Sequence, residues 1–138
     1  LCPDDAALTA TAPRRIRLGG VSEAAADCLF CRIVAGQVPA QVLRRSARTW
    51  SLQDIAPQAP FHVLVVPTDH HRDIAALTSA DPGLAGELLA EAVAVAQANE
   101  LTQGGYRIVL NTGAQAGQTV FHVHAHVLGG RGFSWPPG

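Results

Sequence analysis

The sequence predicts an α+β domain: a mostly antiparallel sheet of about five strands with one long and one short helix. Three observations carry that prediction. Short β-rich runs are joined by brief turns, which favours antiparallel pairing. One segment, opening at Asp81-Pro82, repeats apolar residues at spacings of three and four, the signature of a helix with one buried face. Near the C-terminus three histidines alternate with apolar residues, the two-residue period of a strand. The chain has 138 residues, room for one domain and little for a second.

The elements follow in order. Residues 1–26 are rich in Ala, Thr, Pro and Arg with no sustained apolar period, and read as a poorly ordered extension ahead of a domain spanning 27–138. Cys28 to Ala35 carries apolar residues at 29, 30, 33 and 34 and meets Gly36, a short helix with its stop. Val42–Arg45 and Trp50–Ile55 are strand candidates separated by a polar turn, and a loop bracketed by Pro57 and Pro60 follows. Phe61–Val66, ending at Pro67, reads as a buried strand. Asp81 as N-cap and Pro82 at the first helical position open the long helix, with Leu84, Leu88, Ala92, Val95 and Asn99 on one face and Gly104-Gly105 as its end. Tyr106–Leu110 is a strand, 111–118 a Gly-rich connection and Val120–Leu128 the last strand.

Composition removes several functions. Hydrophobic residues make up 48% and charged ones 15%, enough apolar material for a core and unlike a disordered chain. A net charge of −1 leaves no electrostatic footprint for nucleic acid. All ten basic residues are Arg, so a Walker A phosphate loop and Schiff-base chemistry, which need Lys, are excluded. No apolar run approaches the roughly 20 residues of a membrane-spanning helix. Three cysteines do not suit a disulfide-stapled secreted fold, and with no recognisable targeting signal the expected location is the cytoplasm.

Two clusters carry chemistry. Cys28-Leu29-Phe30-Cys31 places two thiols where one ion, or a redox reaction, could use both. On a strand, His122, His124 and His126 line one face at intervals of roughly 6–7 Å, with Phe121, Val123, Ala125 and Val127 on the other. Neutral imidazole has one donor and one acceptor nitrogen, so such a row supplies a nucleophile, a proton donor and an orienting group near neutral pH. Spacing alone leaves open whether the row binds a metal or performs covalent catalysis. The loop Asn111–Thr119 before it has glycines that admit an anion close to backbone N–H groups, although an ordinary hairpin loop has the same look.

The run 117–128, Gly-Gln-Thr-Val-Phe-His-Val-His-Ala-His-Val-Leu, strongly resembles the motif of the histidine triad (HIT) superfamily. Leu128-Gly-Gly-Arg131, Trp135-Pro-Pro-Gly138, Asp54-Ile-Ala-Pro-Gln-Ala-Pro60 and Val65-Val-Pro-Thr-Asp-His70 are similar to its Hint branch, and the likeness covers residues 27–138. The resemblance implies a homodimer with a site for a purine nucleoside monophosphate, of AMP type, on each protomer. It implies that His124 attacks the α-phosphorus, that His126 contacts phosphate and helps protonate the leaving group, and that the His122 carbonyl holds the proton on the other His124 nitrogen. Asp54 would bind the ribose hydroxyls, Ile55 and Leu52 would flank the base, and His62 would stand at the edge. Asn111, Gly117, Gln118 and Thr119 would contact phosphate, and Trp135 would reach the partner's site.

Zinc is implied on Cys28, Cys31, His70 and His122, as in bacterial relatives, with His71 competing; two thiolates and two imidazoles form a closed, structural set. Leu52 stands where the family often has Phe, Thr119 replaces the more usual Ser, and the strand before Asp54 is Arg-rich, so the base pocket departs from the common pattern. The implied reaction is hydrolysis of purine nucleoside phosphoramidates through a nucleotidyl-histidine. Hydrolysis of dinucleoside polyphosphates or adenylyl sulfate, and a regulatory nucleotide-binding role, are the alternatives.

Overall fold

Alternation and capping place the chain in two layers. In the computed structural model, which describes residues 23–138, the elements run α1 (Glu23–Ala26), α2 (Leu29–Val34), β1 (Val42–Arg45), β2 (Thr49–Gln53), β3 (Phe61–Pro67), α3 (Ile74–Ala80), α4 (Pro82–Ala98), α5 (Leu101–Gly104), β4 (Tyr106–Val109) and β5 (Ala125–Gly129). The strands form one five-stranded sheet in the order β1-β2-β3-β5-β4 with every neighbour antiparallel. The predicted α+β class and strand number therefore hold. The predicted extension lies outside the described residues as far as residue 22, and its last four residues form the single turn of α1.

The two faces of the sheet do different work. Val63 and Val65 of β3 and Ala125 and Val127 of β5 meet Leu84, Leu88, Ala92 and Val95 of α4, all fully buried. On the opposite face Leu52 and Val66 pack with Phe30 and Ile33 of the short α2. A six-residue helix covers only part of that face, and the histidines emerge beside it.

Four expectations need correction. The last strand begins at Ala125, not Val120, because the Val123 N–H donates to the His71 carbonyl (2.7 Å) instead of joining the ladder. Phe121 consequently leaves the apolar row and lies half-exposed under the Arg72 guanidinium, 4.6 Å away. The long helix ends at Ala98, where the Asn99 side chain donates back to the Val95 carbonyl (2.8 Å), and Gly104-Gly105 closes the separate turn α5. Helix α3 was not expected, yet Asp73 caps it by accepting from the Ala76 N–H (2.9 Å). Among the described residues no helix is long and apolar enough to cross a membrane.

Candidate functional site

Strand pairing gathers the site. Leu64 of β3 lies opposite His126 of β5, which brings His62, two residues earlier, beside His126 on the α2 side of the sheet. The rings of His124 and His126 lie 5.0 Å apart, and those of His62 and His126 5.2 Å. Phe30 touches both His122 (5.6 Å) and His124 (5.1 Å), so all three triad rings stay on one side as the alternation requires. Because the ladder starts after His124, the row divides. His122 turns away toward the cysteines, while His124 and His126 remain a pair.

Hydrogen bonds to fixed groups settle which nitrogen carries each proton. A backbone carbonyl only accepts, so His124 Nδ1, 2.7 Å from the His122 oxygen, carries hydrogen and Nε2 keeps its lone pair. A backbone N–H only donates, so His62 Nδ1, reached by the Gln58 N–H at 3.0 Å, is the acceptor and His62 Nε2 holds the hydrogen. That hydrogen points at His126 Nδ1 (2.9 Å), with Asp54 Oδ2 at 3.4 Å, which leaves His126 with its own hydrogen on Nε2. Burial lowers the pKa of His124 below the ordinary histidine value and takes His126 to about 4, so both rings are neutral at pH 7. The pair thus presents one nucleophilic nitrogen and one N–H donor side by side.

Cys28, Cys31, His70 and His122 converge from α2, the segment after β3 and the approach to β5. His122 Nε2 donates to the Pro67 carbonyl (2.9 Å), so its Nδ1 lone pair faces Cys28 Sγ at 3.3 Å, Cys31 Sγ at 3.5 Å and His70 Nδ1 at 3.2 Å. His70 Nδ1 lies 3.4 Å from Cys31 Sγ. Tetrahedral zinc with bonds of about 2.3 Å to sulfur and 2.0–2.1 Å to nitrogen sets edges of ~3.6 Å for S···N and ~3.3 Å for N···N. The observed edges match within a few tenths of an ångström, and the donor set fits the metal. Burial and the neighbouring Cys28 thiol push Cys31 up to about 12.

Asp54, His62 and His126 also lie within ligating distance of one another. A histidine ligand normally donates its second ring N–H outward. His62 instead receives the Gln58 N–H at that nitrogen, so binding a metal through Nε2 would demand an imidazolate. This triangle suits proton placement and not a metal.

The remaining predicted residues fall into two groups. Gln118 is buried and committed to its own loop: Oε1 accepts from the Gly113 N–H (2.9 Å), and Nε2 donates to the carbonyls of Arg72 (2.8 Å) and Val120 (3.2 Å). Its backbone N–H is bonded to Gly113 as well, so it shapes the loop and has no donor left for an anion. Gly117 holds φ at +88°, the left-handed turn that ends the loop's single 3₁₀ turn. Asn111 and Thr119, whose side-chain donors meet no partner among the described residues, are the ones free to meet a ligand. Leu52 is only 2% exposed, a core residue beneath α2. Ile55, by contrast, is 98% exposed and Trp135 84%. Composition and spacing gave no sign of Gln58 or Phe30; the short Asp54–Pro60 loop was the available signal for the first.

A five-stranded antiparallel sheet with a carbonyl-oriented histidine, His124, paired with His126 beside α2 is the arrangement of a HIT-type, hydrolase-like protein. Residues 35–133 match the HIT domain family. This chain belongs to that family. It is 44% identical over 115 residues to an uncharacterised HIT-like protein of Synechocystis, covering 83% of this chain and 99% of the relative. A HIT family hydrolase from Legionella pneumophila has a similar structure, with 42% identity, TM-score 0.78, and coverage of 81% of this chain and all of that one. A histidine triad nucleotide-binding protein from Candida albicans aligns at 30% identity and TM-score 0.69, covering 79% and 82% of the two chains.

Proposed function

We propose that this protein hydrolyses purine nucleoside 5′-phosphoramidates to a nucleoside monophosphate and an amine through a nucleotidyl intermediate on His124. The observation that carries the reading is the 2.7 Å bond from His124 Nδ1 to the His122 carbonyl, which leaves Nε2 unprotonated. His124 Nε2 forms a bond to the α-phosphorus as the P–N bond breaks. The departing nitrogen takes a proton from solvent while His126 Nε2–H donates a hydrogen bond to it or to a phosphate oxygen. Water then attacks phosphorus, loses a proton to solvent and breaks the bond to Nε2, which leaves His124 with its lone pair restored. The His122 carbonyl stabilises the positive charge that the ring carries while phosphorylated. On this reading Asp54 binds the ribose hydroxyls, Ile55 flanks the base, and Asn111 and Thr119 contact the phosphate.

The same reading puts zinc on Cys28, Cys31, His70 and His122. Bound there, the metal supplies a structural tie and no open coordination position. It also puts the protein in a homodimer, supported by the outer edge of β4, which pairs with no further strand among the described residues, and by the exposed Trp135. Light scattering at micromolar concentration gives twice the chain mass if so, and a monomer removes that element. The catalytic reading is tested by AMP release from adenosine 5′-phosphoramidate, diadenosine polyphosphate and adenylyl sulfate, with wild type and His124→Ala. Turnover of the phosphoramidate, lost in the variant while AMP still binds, is expected. Preference for the polyphosphate or the sulfate would replace the substrate class, and AMP binding with no turnover would favour a regulatory role.

A further inference from the structure

The Gly130-Arg131 segment follows β5 and has no part in the reaction described above. We infer that Arg131 is a positioning residue, clamping the Asp54–Pro60 loop so that the Gln58 N–H stays aimed at His62 and thereby fixes the donor nitrogen of His126. Its kinetic consequence rests on the proposed reaction; its structural content does not.

The Arg131 guanidinium makes two bonds to one acceptor, Nε at 3.2 Å and Nη2 at 3.1 Å from the Gln58 carbonyl oxygen. Nη1 donates to the Gly132 carbonyl (2.9 Å), and the group lies 4.3 Å over the Phe133 ring. Among the described residues no carboxylate pairs with it, so its charged fork is directed at backbone. A second contact lies one residue earlier. Gly130 has φ +85°, and a Cβ there would stand 2.9 Å from Pro60 Cβ, so the segment presses on the far end of the same loop.

Gln58 is where this clamp meets the chemistry. Its carbonyl is held by Arg131 and its N–H donates to His62 Nδ1 (3.0 Å), whose Nε2–H then meets His126 Nδ1 (2.9 Å). Within itself the loop has two short hydrogen bonds, Ala56 N–H to Asp54 Oδ1 (2.7 Å) and Gln58 Nε2 to the Ala56 carbonyl (2.8 Å), but residues 55–58 are exposed, so packing does little to fix it against the sheet. Releasing Gln58 lets His62 move its hydrogen to Nδ1. Nε2 of His62 then becomes an acceptor, and His126 is free to put its hydrogen on the wrong nitrogen. Only a planar fork offers two donors to one carbonyl in this way, so lysine would replace it in part.

The test compares wild type, Arg131→Ala, Arg131→Lys and Arg107→Ala. Arg107 also lies over Phe133 (4.9 Å) and donates to the Ser134 carbonyl (3.0 Å), so its variant loosens the tail without touching Gln58. The readouts are the ring ¹⁵N shifts of His62 and His126 and the steady-state kinetics with adenosine 5′-phosphoramidate. In wild type both Nδ1 shifts are expected to be pyridine-like and both Nε2 shifts pyrrole-like. In Arg131→Ala they move toward the average and kcat/KM falls about tenfold, with Arg131→Lys between the two, the size expected for exposed charged hydrogen bonds. Arg107→Ala keeps the wild-type shifts. Unchanged shifts in Arg131→Ala, or equal changes in Arg107→Ala, overturn the inference. Wild-type protein with the expected shifts but no turnover would overturn the proposed reaction instead, and the variant shifts would still decide the clamp.

Discussion

Breaking the metal cluster is predicted to cost most of the domain's stability margin. Cys28 and His122 are 94 positions apart and lie 3.3 Å from each other, so a metal bridging them closes a loop of nearly the whole domain. In the chain-entropy account, closing a loop of this length is worth ~4–5 kcal/mol through its restriction of the unfolded state. For a domain of this size 1 kcal/mol moves Tm by about 4 °C, so Cys28→Ser or exhaustive chelation should lower Tm by roughly 15–20 °C. Differential scanning calorimetry with and without chelator, beside metal analysis of the purified protein, reads this out. The effect should also reach the nucleophile, because the carbonyl that orients His124 belongs to the ligand His122. A Tm unmoved by chelator in protein that contained stoichiometric zinc would refute the reasoning.

Acidification should destabilise the fold. The native His126 pKa is taken to about 4 by burial, then by the neighbouring histidines, whereas the unfolded ring titrates near 6.5. Between those values the unfolded chain binds the extra proton, so stability falls as pH drops from ~6.5 to ~4 and levels below it. The ring is only partly buried, which screens the loss to roughly 1–2 kcal/mol, measurable by denaturant titration across that range. Leu88, fully buried between α4 and the sheet, should cost about 2–5 kcal/mol on replacement by Ala with no change in KM. Asp54→Asn should raise KM for a ribonucleotide substrate about tenfold more than for its 2′,3′-dideoxy analogue, since the second lacks the hydroxyls the carboxylate would bind.

The sheet was legible because its signals are local. Phe61–Pro67 is apolar and β-rich throughout, and Asp81-Pro82 caps a helix in two residues. Helix α3 was less visible, for Asp73 is its sole strong marker and Ile74–Ala80 carries no sustained apolar period. The histidine alternation placed three rings on one side, but periodicity could not reveal that the ladder starts only at Ala125 because the Val123 N–H bonds the His71 carbonyl. That departure is tertiary: it exists because residues 70–71 lie alongside. The functions of Gln58 and Arg131 were illegible for the same reason. Gln58 acts through its backbone N–H and carbonyl, which are identical in every residue type, and the Arg131 guanidinium is proposed to act on that same carbonyl. Gln118 misled, since its polar side chain reads equally well as an anion contact and as the loop staple it proves to be.

The account turns on His124 Nε2 as the nucleophile, and the most direct measurement is rapid acid-free quenching of wild-type protein with adenosine 5′-phosphoramidate, followed by intact-mass analysis and peptide mapping. The prediction is a transient mass increase of one adenylyl group, located on His124 and absent from His124→Ala. Turnover that proceeds with no adduct, or an adduct on another residue, would contradict it.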